Sequence, residues 1–200
     1  MIGGVLRMER RAFLGLGLTG IGAVALAKKG MALEYYPNPS DKKWAVVYGT
    51  WCGTARDAGL WISEGMGGIA DVFDVRENPD LAKFENIIIG SAIRSAKITP
   101  ELQAFLENNR SAIGPKVRGL YIVCGNMRRP VTPELTKQLI TDYLAPLCGA
   151  KDAAARVFLG RVTPRLLPPD IREQMKMMGE YDNLKRPDCM AFGEEILGRA

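Results

Sequence analysis

The chain contains no histidine. Imidazole is the usual general base, proton shuttle and zinc ligand, so its absence removes Ser-His and Cys-His nucleophile pairs and the commonest metal centre. A bound redox or binding cofactor is left as the bearer of chemistry. Four cysteines are present, Cys52, Cys124, Cys148 and Cys189, but no two are spaced as C-x-x-C and no metal pattern includes them. Cys124 ends an apolar run and reads as a small core residue. Cys52 stands before a predicted helix, where a reactive thiol would sit, so a thiol redox enzyme stays open as a minor hypothesis. No Lys-Ser/Thr follows a G-x-x-x-x-G, and there is no G-x-G-x-x-G, which excludes the nucleoside-triphosphate loop and the dinucleotide fingerprint. Lys and Arg outnumber Asp and Glu by 27 to 22, a net charge of +5 with pI near 9.1 that suits an anionic cofactor, an acidic partner or an anionic membrane surface. The basic residues are scattered without interleaved aromatics, so no nucleic acid partner is expected.

At 200 residues and 47% apolar content, the chain can bury one good core and is most simply one domain with appendages. Its organising stretch is Trp44 to Asp57. Strand formers from Trp44 to Tyr48 end in the Gly/Thr-rich turn Gly49-Thr50-Trp51-Cys52-Gly53-Thr54, and Arg56 to Ile62 then carries apolar residues at helical spacing. Such a strand, loop and helix point main-chain N–H groups and the hydroxyls of Thr50 and Thr54 at one spot by a helix N-terminus, where an anion is favoured. With the two polyphosphate motifs excluded, the natural guest is a monophosphate. The bland alternative is an ordinary strand-to-helix connection with Gly for the turn and Thr as N-cap.

The loop resembles the flavin mononucleotide (FMN) phosphate loop of the flavodoxin family, usually Ser/Thr-x-Thr-Gly-x-Thr after the first strand. Thr50 and Gly53 fall on family positions, whereas Cys52 replaces the middle Thr and Ala55 the final one. Thr54, one place early, could compensate, and Arg56 could add charge. The resemblance implies that Thr50, Trp51, Cys52, Gly53, Thr54 and Ala55 hold the phosphate.

Residues 1–32 read as an export signal. Glu9-Arg10-Arg11-Ala12-Phe13-Leu14 precedes an uncharged Gly/Leu-rich stretch to Ala27, which resembles the twin-arginine motif and implies a periplasmic or exported protein. An uncleaved signal would leave it membrane-anchored. Residues 33–43 form a linker and residues 44–200 the flavodoxin-like domain. Strands are expected at Trp44–Gly49, Ile69–Val75, Asn86–Ala92 and Val117–Cys124, with a fifth inside Ala154–Val162. Helices are expected at about Arg56–Met66, Pro100–Asn108, Pro133–Leu147 and Asp188–Leu197. Thr99-Pro100-Glu101 and Thr132-Pro133-Glu134 write the same helix start twice, with Thr as N-cap and Pro in the first turn. Alternating strands and helices predict an α/β doubly wound, five-stranded parallel sheet of order 2-1-3-4-5.

Ligands in such a sheet sit beyond the carboxyl ends of the strands, at the switch point between the first and third. In the flavodoxin family the loops after the third and fourth strands hold the isoalloxazine ring, which implies roles for Ser91, Ala92, Ile93 and Arg94 and for Gly125, Asn126, Met127 and Arg128. Those loops carry no aromatic residue, though Trp51 could stack on the ring. They hold Arg94, Lys97, Arg128 and Arg129 in place of acidic groups, which would raise a flavin's potential. Ile89-Gly90-Ser91-Ala92-Ile93-Arg94 and the basic, Met-containing segment after the fifth strand resemble the menaquinone-dependent protoporphyrinogen dehydrogenases of the same superfamily. Ile171, Met175 and Met178 share a helical face within 170–178 that could meet a quinone or a membrane, or pack on its own domain. The resulting expectation is an exported FMN-binding electron-transfer protein served by a redox partner protein or quinone. The alternatives are a quinone-dependent oxidoreductase of the protoporphyrinogen dehydrogenase kind and a flavin-free docking module.

Overall fold

The computed structural model describes residues 43–125, 130–175 and 179–200. The predicted export signal, the linker up to Asp41-Lys42, the loop residues Asn126, Met127, Arg128 and Arg129, and Met178 lie outside these. Five strands, β1 (Trp44–Gly49), β2 (Ala70–Asp74), β3 (Asn86–Ala92), β4 (Val117–Cys124) and β5 (Ala154–Leu159), pair in parallel in the order β2-β1-β3-β4-β5. This is the predicted order. Every residue of β1 is buried, as is all of β3 up to Ser91, which is why their apolar runs are continuous rather than alternating.

Alternate residues nevertheless serve different faces. Ala45, Val47, Ile87, Ile89, Leu120 and Ile122 pack against α2 (Pro100–Ile113) and a second long helix, which consists of α3 (Pro133–Thr136), a π-helical stretch Lys137–Leu144 and α4 (Ala145–Cys148). Trp44, Val46, Tyr48, Ile88, Tyr121 and Val123 pack against α1 (Thr54–Gly65) and α6 (Arg186–Arg199). Both Thr-Pro-Glu starts cap as predicted: the Thr99 and Thr132 hydroxyls accept the N–H groups of Leu102 and Leu135. Helix α2 runs past the predicted Asn108 to Ile113, because Ile113 continues the buried face of Leu102, Phe105 and Leu106 and tertiary packing overrides the weak helix preference of the Asn pair. Helix α1 starts two residues early and is capped by Gly53 in a left-handed conformation, not by a threonine side chain.

Tyr121, wholly buried on β4, ties this framework to the start of α1: its hydroxyl donates to the Ala55 carbonyl at 2.8 Å. The ring crosses β3 where a side chain would block it, since a Cβ at Gly90 would lie 1.8 Å from Tyr121 Cζ. After β5 the chain turns at Gly160 into β6 (Arg161–Val162), makes an excursion containing α5 (Pro169–Met175) and returns as β7 (Tyr181–Asp182), antiparallel to β6.

Candidate functional site

The loop between β1 and α1 closes tightly. Gly53 adopts φ 85°, which admits glycine most readily, and its N–H donates to the Thr50 hydroxyl at 3.0 Å. Thr54 is 2% exposed and its hydroxyl donates to the Arg161 carbonyl at 2.7 Å, with Cys52 Sγ 3.4 Å away. Thr50 thus braces its own loop as an acceptor and keeps its O–H to donate, whereas the Thr54 hydroxyl fastens the loop to β6. The donors suited to an anion here are the first-turn N–H groups of α1, which no helical carbonyl can reach.

Ala92, Ile93 and Arg94 line the cleft beyond this loop, followed by Ser95, whose φ of 48° with the 58° of Ala96 closes a tight hairpin between Arg94 and Lys97. Ser91 is turned into the core, where its hydroxyl donates to the Ala92 carbonyl at 2.7 Å. Val123, Cys124 and Gly125 at the end of β4 form the next wall. Burial pushes the Cys124 thiol up to about 11, so it lines the cleft as an inert apolar group. Loops from β1, β3 and β4 thus meet at one cleft, and Asn126, Met127 and Arg128 lie outside the described residues.

The fourth wall comes from the segment after β5. Gly160, Arg161, Val162, Leu167, Ile171, Met175 and Tyr181 close a cleft of about 440 Å³, inside the range of roughly 300–1,000 Å³ usual for small-molecule sites. Leu167 and Ile171 are buried against Cys52, with Trp51, Val162 and Met175 packed around them. Ile171 therefore faces inward, onto its own domain. Arg172 holds this segment together by donating to the carbonyls of Pro164, Arg165 and Leu167. Tyr181 supplies an aromatic wall that the loops after β3 and β4 lack. Its place and that of Arg161 were missed in the sequence, because they depend on β6 and β7 pairing across an 18-residue excursion (163–180). The faint signal was Gly160-Arg161-Val162 directly after an apolar strand.

Charge gathers where this wall meets α1. Asp57, in the first turn, pairs with Arg56 and Arg161, and the Arg161 guanidinium also lies 3.7 Å from Asp182. Arg161 Nε is buried and meets no acceptor among the described residues. An anion bound beside α1 would supply one, so the donor set fits a phosphate group. Elsewhere on the sheet, Tyr48 is pushed up to about 12, first by burial and then by the Asp74 carboxylate, so its phenol stays protonated. Among the described residues no group of His, Cys, Asp and Glu side chains could hold a metal ion.

The family model for the flavodoxin domain matches residues 45–185. The fold also resembles the crystal structure of the WrbA-like flavodoxin protein from Agrobacterium tumefaciens, with 11% identity, a TM-score of 0.52, and coverage of 79% of this chain and 96% of that one. Two further solved structures score lower: a flavodoxin from the domain Archaea, at 16% identity, TM-score 0.48 and coverage of 78% and 97%, and oxidised Flavodoxin 1 from Bacillus cereus, at 14% identity, TM-score 0.48 and coverage of 79% and 99%. No curated protein sequence matches the chain.

Proposed function

The chain belongs to the flavodoxin-domain family, and from that premise we propose that it binds FMN in the cleft at the carboxyl ends of β1, β3 and β4 and serves in electron transfer. The observation that carries this reading is the convergence of the β1–α1 loop, the Ala92–Ser95 turn and the end of β4 on one cleft beside the free N–H groups of a helix. Bound there, the flavin would supply one- or two-electron chemistry. The chain's own residues would hold and tune it. The α1 N-terminus and Gly53 give the phosphate main-chain donors without side-chain bulk. Trp51, Ile93, Val123, Leu167 and Tyr181 exclude water from the ring. Arg94 places a cation at the cleft, which favours the more negative, reduced cofactor and so raises the potential. In place of the missing loop hydroxyls, Thr54 fixes the loop to Arg161.

Export would follow the twin-arginine route, a redox partner protein or quinone would be the other electron carrier, and any membrane contact through 170–178 would use residues other than Ile171 and Met175, which pack inward. The Ile89–Arg94 segment and the insert after β5 support a quinone-dependent oxidoreductase as the second reading. Turnover of protoporphyrinogen with a menaquinone analogue separates an enzyme from a carrier. The primary test is the visible spectrum of the purified chain, followed by identification of the chromophore released by heat. Near one FMN per chain is expected. A colourless protein that also refuses added FMN would make the domain a flavin-free docking module.

A further inference from the structure

Cys52 and Ala55 stand where the flavodoxin loop has hydroxyls, and the Thr54 hydroxyl is committed to the Arg161 carbonyl. A cation occupies the same neighbourhood. Arg161 lines the cleft with Cys52 and Thr54, and its Nη2 pairs with Asp57 in the first turn of α1. Its side chain is 23% exposed, and Nε is buried with no acceptor among the described residues. A guanidinium presents Nε–H and Nη2–H as one fork, and Asp57 already holds its Nη2 prong, which leaves Nε–H alone without an acceptor. A buried N–H without an acceptor is costly, and an oxyanion seated against Nε would remove that cost. Arg56, by contrast, is half exposed, extends beside Gly53 and gives its Nε to Asp57 at 2.9 Å.

We propose that Arg161 is the cationic partner of the cofactor's phosphate, and that it makes the cleft selective for the phosphomonoester form of the flavin over the unphosphorylated parent. This rests on the FMN reading above. Asp57 holds the guanidinium at Nη2, and its own charge opposes a phosphate at the helix N-terminus. Discrimination therefore comes from the strand β6 side of the cleft, where the loop itself is short of hydroxyls.

The test titrates FMN and riboflavin separately into the full chain stripped of bound flavin, following flavin fluorescence at low salt. Wild type is expected to prefer FMN. Arg161→Gln is expected to weaken FMN roughly ten- to hundredfold, the scale of a charged hydrogen bond, and to leave riboflavin unchanged. Arg161→Lys should recover part of the loss, since the charge remains while the fork does not. An unchanged FMN-to-riboflavin ratio in Arg161→Gln overturns the assignment and leaves the FMN reading standing, whereas a wild type that takes up neither flavin overturns both. If Arg161→Gln does not fold, Arg161→Met, which keeps the apolar stem without the charge, replaces it: the FMN-to-riboflavin ratio should fall to a similar extent, and an unmoved ratio overturns the proposal.

Discussion

The interior around Tyr121 and the outer wall of the cleft around Arg161 are held by different physics. Around Tyr121 every element is apolar and interlocked: the ring meets Phe158, which meets Phe192 edge-on at 5.9 Å, and its hydroxyl is satisfied by Ala55. Around Arg161 the wall is a short two-strand ribbon, a seven-residue helix and a cluster of three buried residues, fastened by ion pairs and side-chain bonds to carbonyls. The first arrangement is stabilised wherever water is excluded. The second depends on charges that solvent and salt can reach. The apolar framework thus lies under the β1–α1 loop, and the fastening that solvent can reach lies over the cleft.

The largest expected effect breaks the interior. Gly90→Val would drive a side chain into the Tyr121 ring, and denaturant unfolding should show a loss of about 3 kcal/mol or more, or no folded protein. The same truncation then compares the two regions directly. Ile88→Ala, wholly buried between β1 and β4, should cost about 3–4 kcal/mol, whereas Ile171→Ala should cost about 1 kcal/mol, because its cluster holds only three buried residues and can collapse around the change. Thiol labelling of folded Ile171→Ala should reveal Cys52 alone, since burial pushes Cys124 to about 11 and, with Asp188, Cys189 to about 12, and raises Cys148 as well. Tyr121→Phe should cost about 1 kcal/mol, as Ala55 keeps its helical partner.

The smallest effect is in acid. Burial raises the Asp74 carboxyl, but the side-chain and backbone hydrogen bonds from Arg76 and its charge outweigh this and hold the group below its ordinary value. A depressed carboxyl contributes stability that is present above its unfolded pKa and lost as pH falls through the lower folded one. Arg76→Ala should therefore cost about 0.5 kcal/mol or less at neutral pH, and that difference should vanish below the carboxylate range in acid denaturation curves.

What was legible in the sequence follows the same division. Strands β1, β3 and β4 were readable to the residue because burial on both faces selects long apolar stretches, a triple Ile in β3 and a run in β4 broken only by Arg118 and Gly119, and the Thr-Pro-Glu starts carry their own capping chemistry. The π-helical stretch was not readable, since its bonding pattern leaves the apolar spacing near that of an α-helix. In the cleft, the three walls that follow β1, β3 and β4 were legible from the switch-point rule. The fourth was not: Arg161, Leu167 and Tyr181 are brought there by pairing and packing remote in sequence. Thr54 looked like a ligand hydroxyl because nothing local reveals that the Arg161 carbonyl lies 2.7 Å away.

The central claim is that this cleft binds one FMN. Calorimetric titration of FMN into the stripped full chain tests it most directly. Saturation at one FMN per chain, with visible flavin absorbance retained after gel filtration, is the predicted result, and the absence of any saturable heat or retained flavin would contradict it.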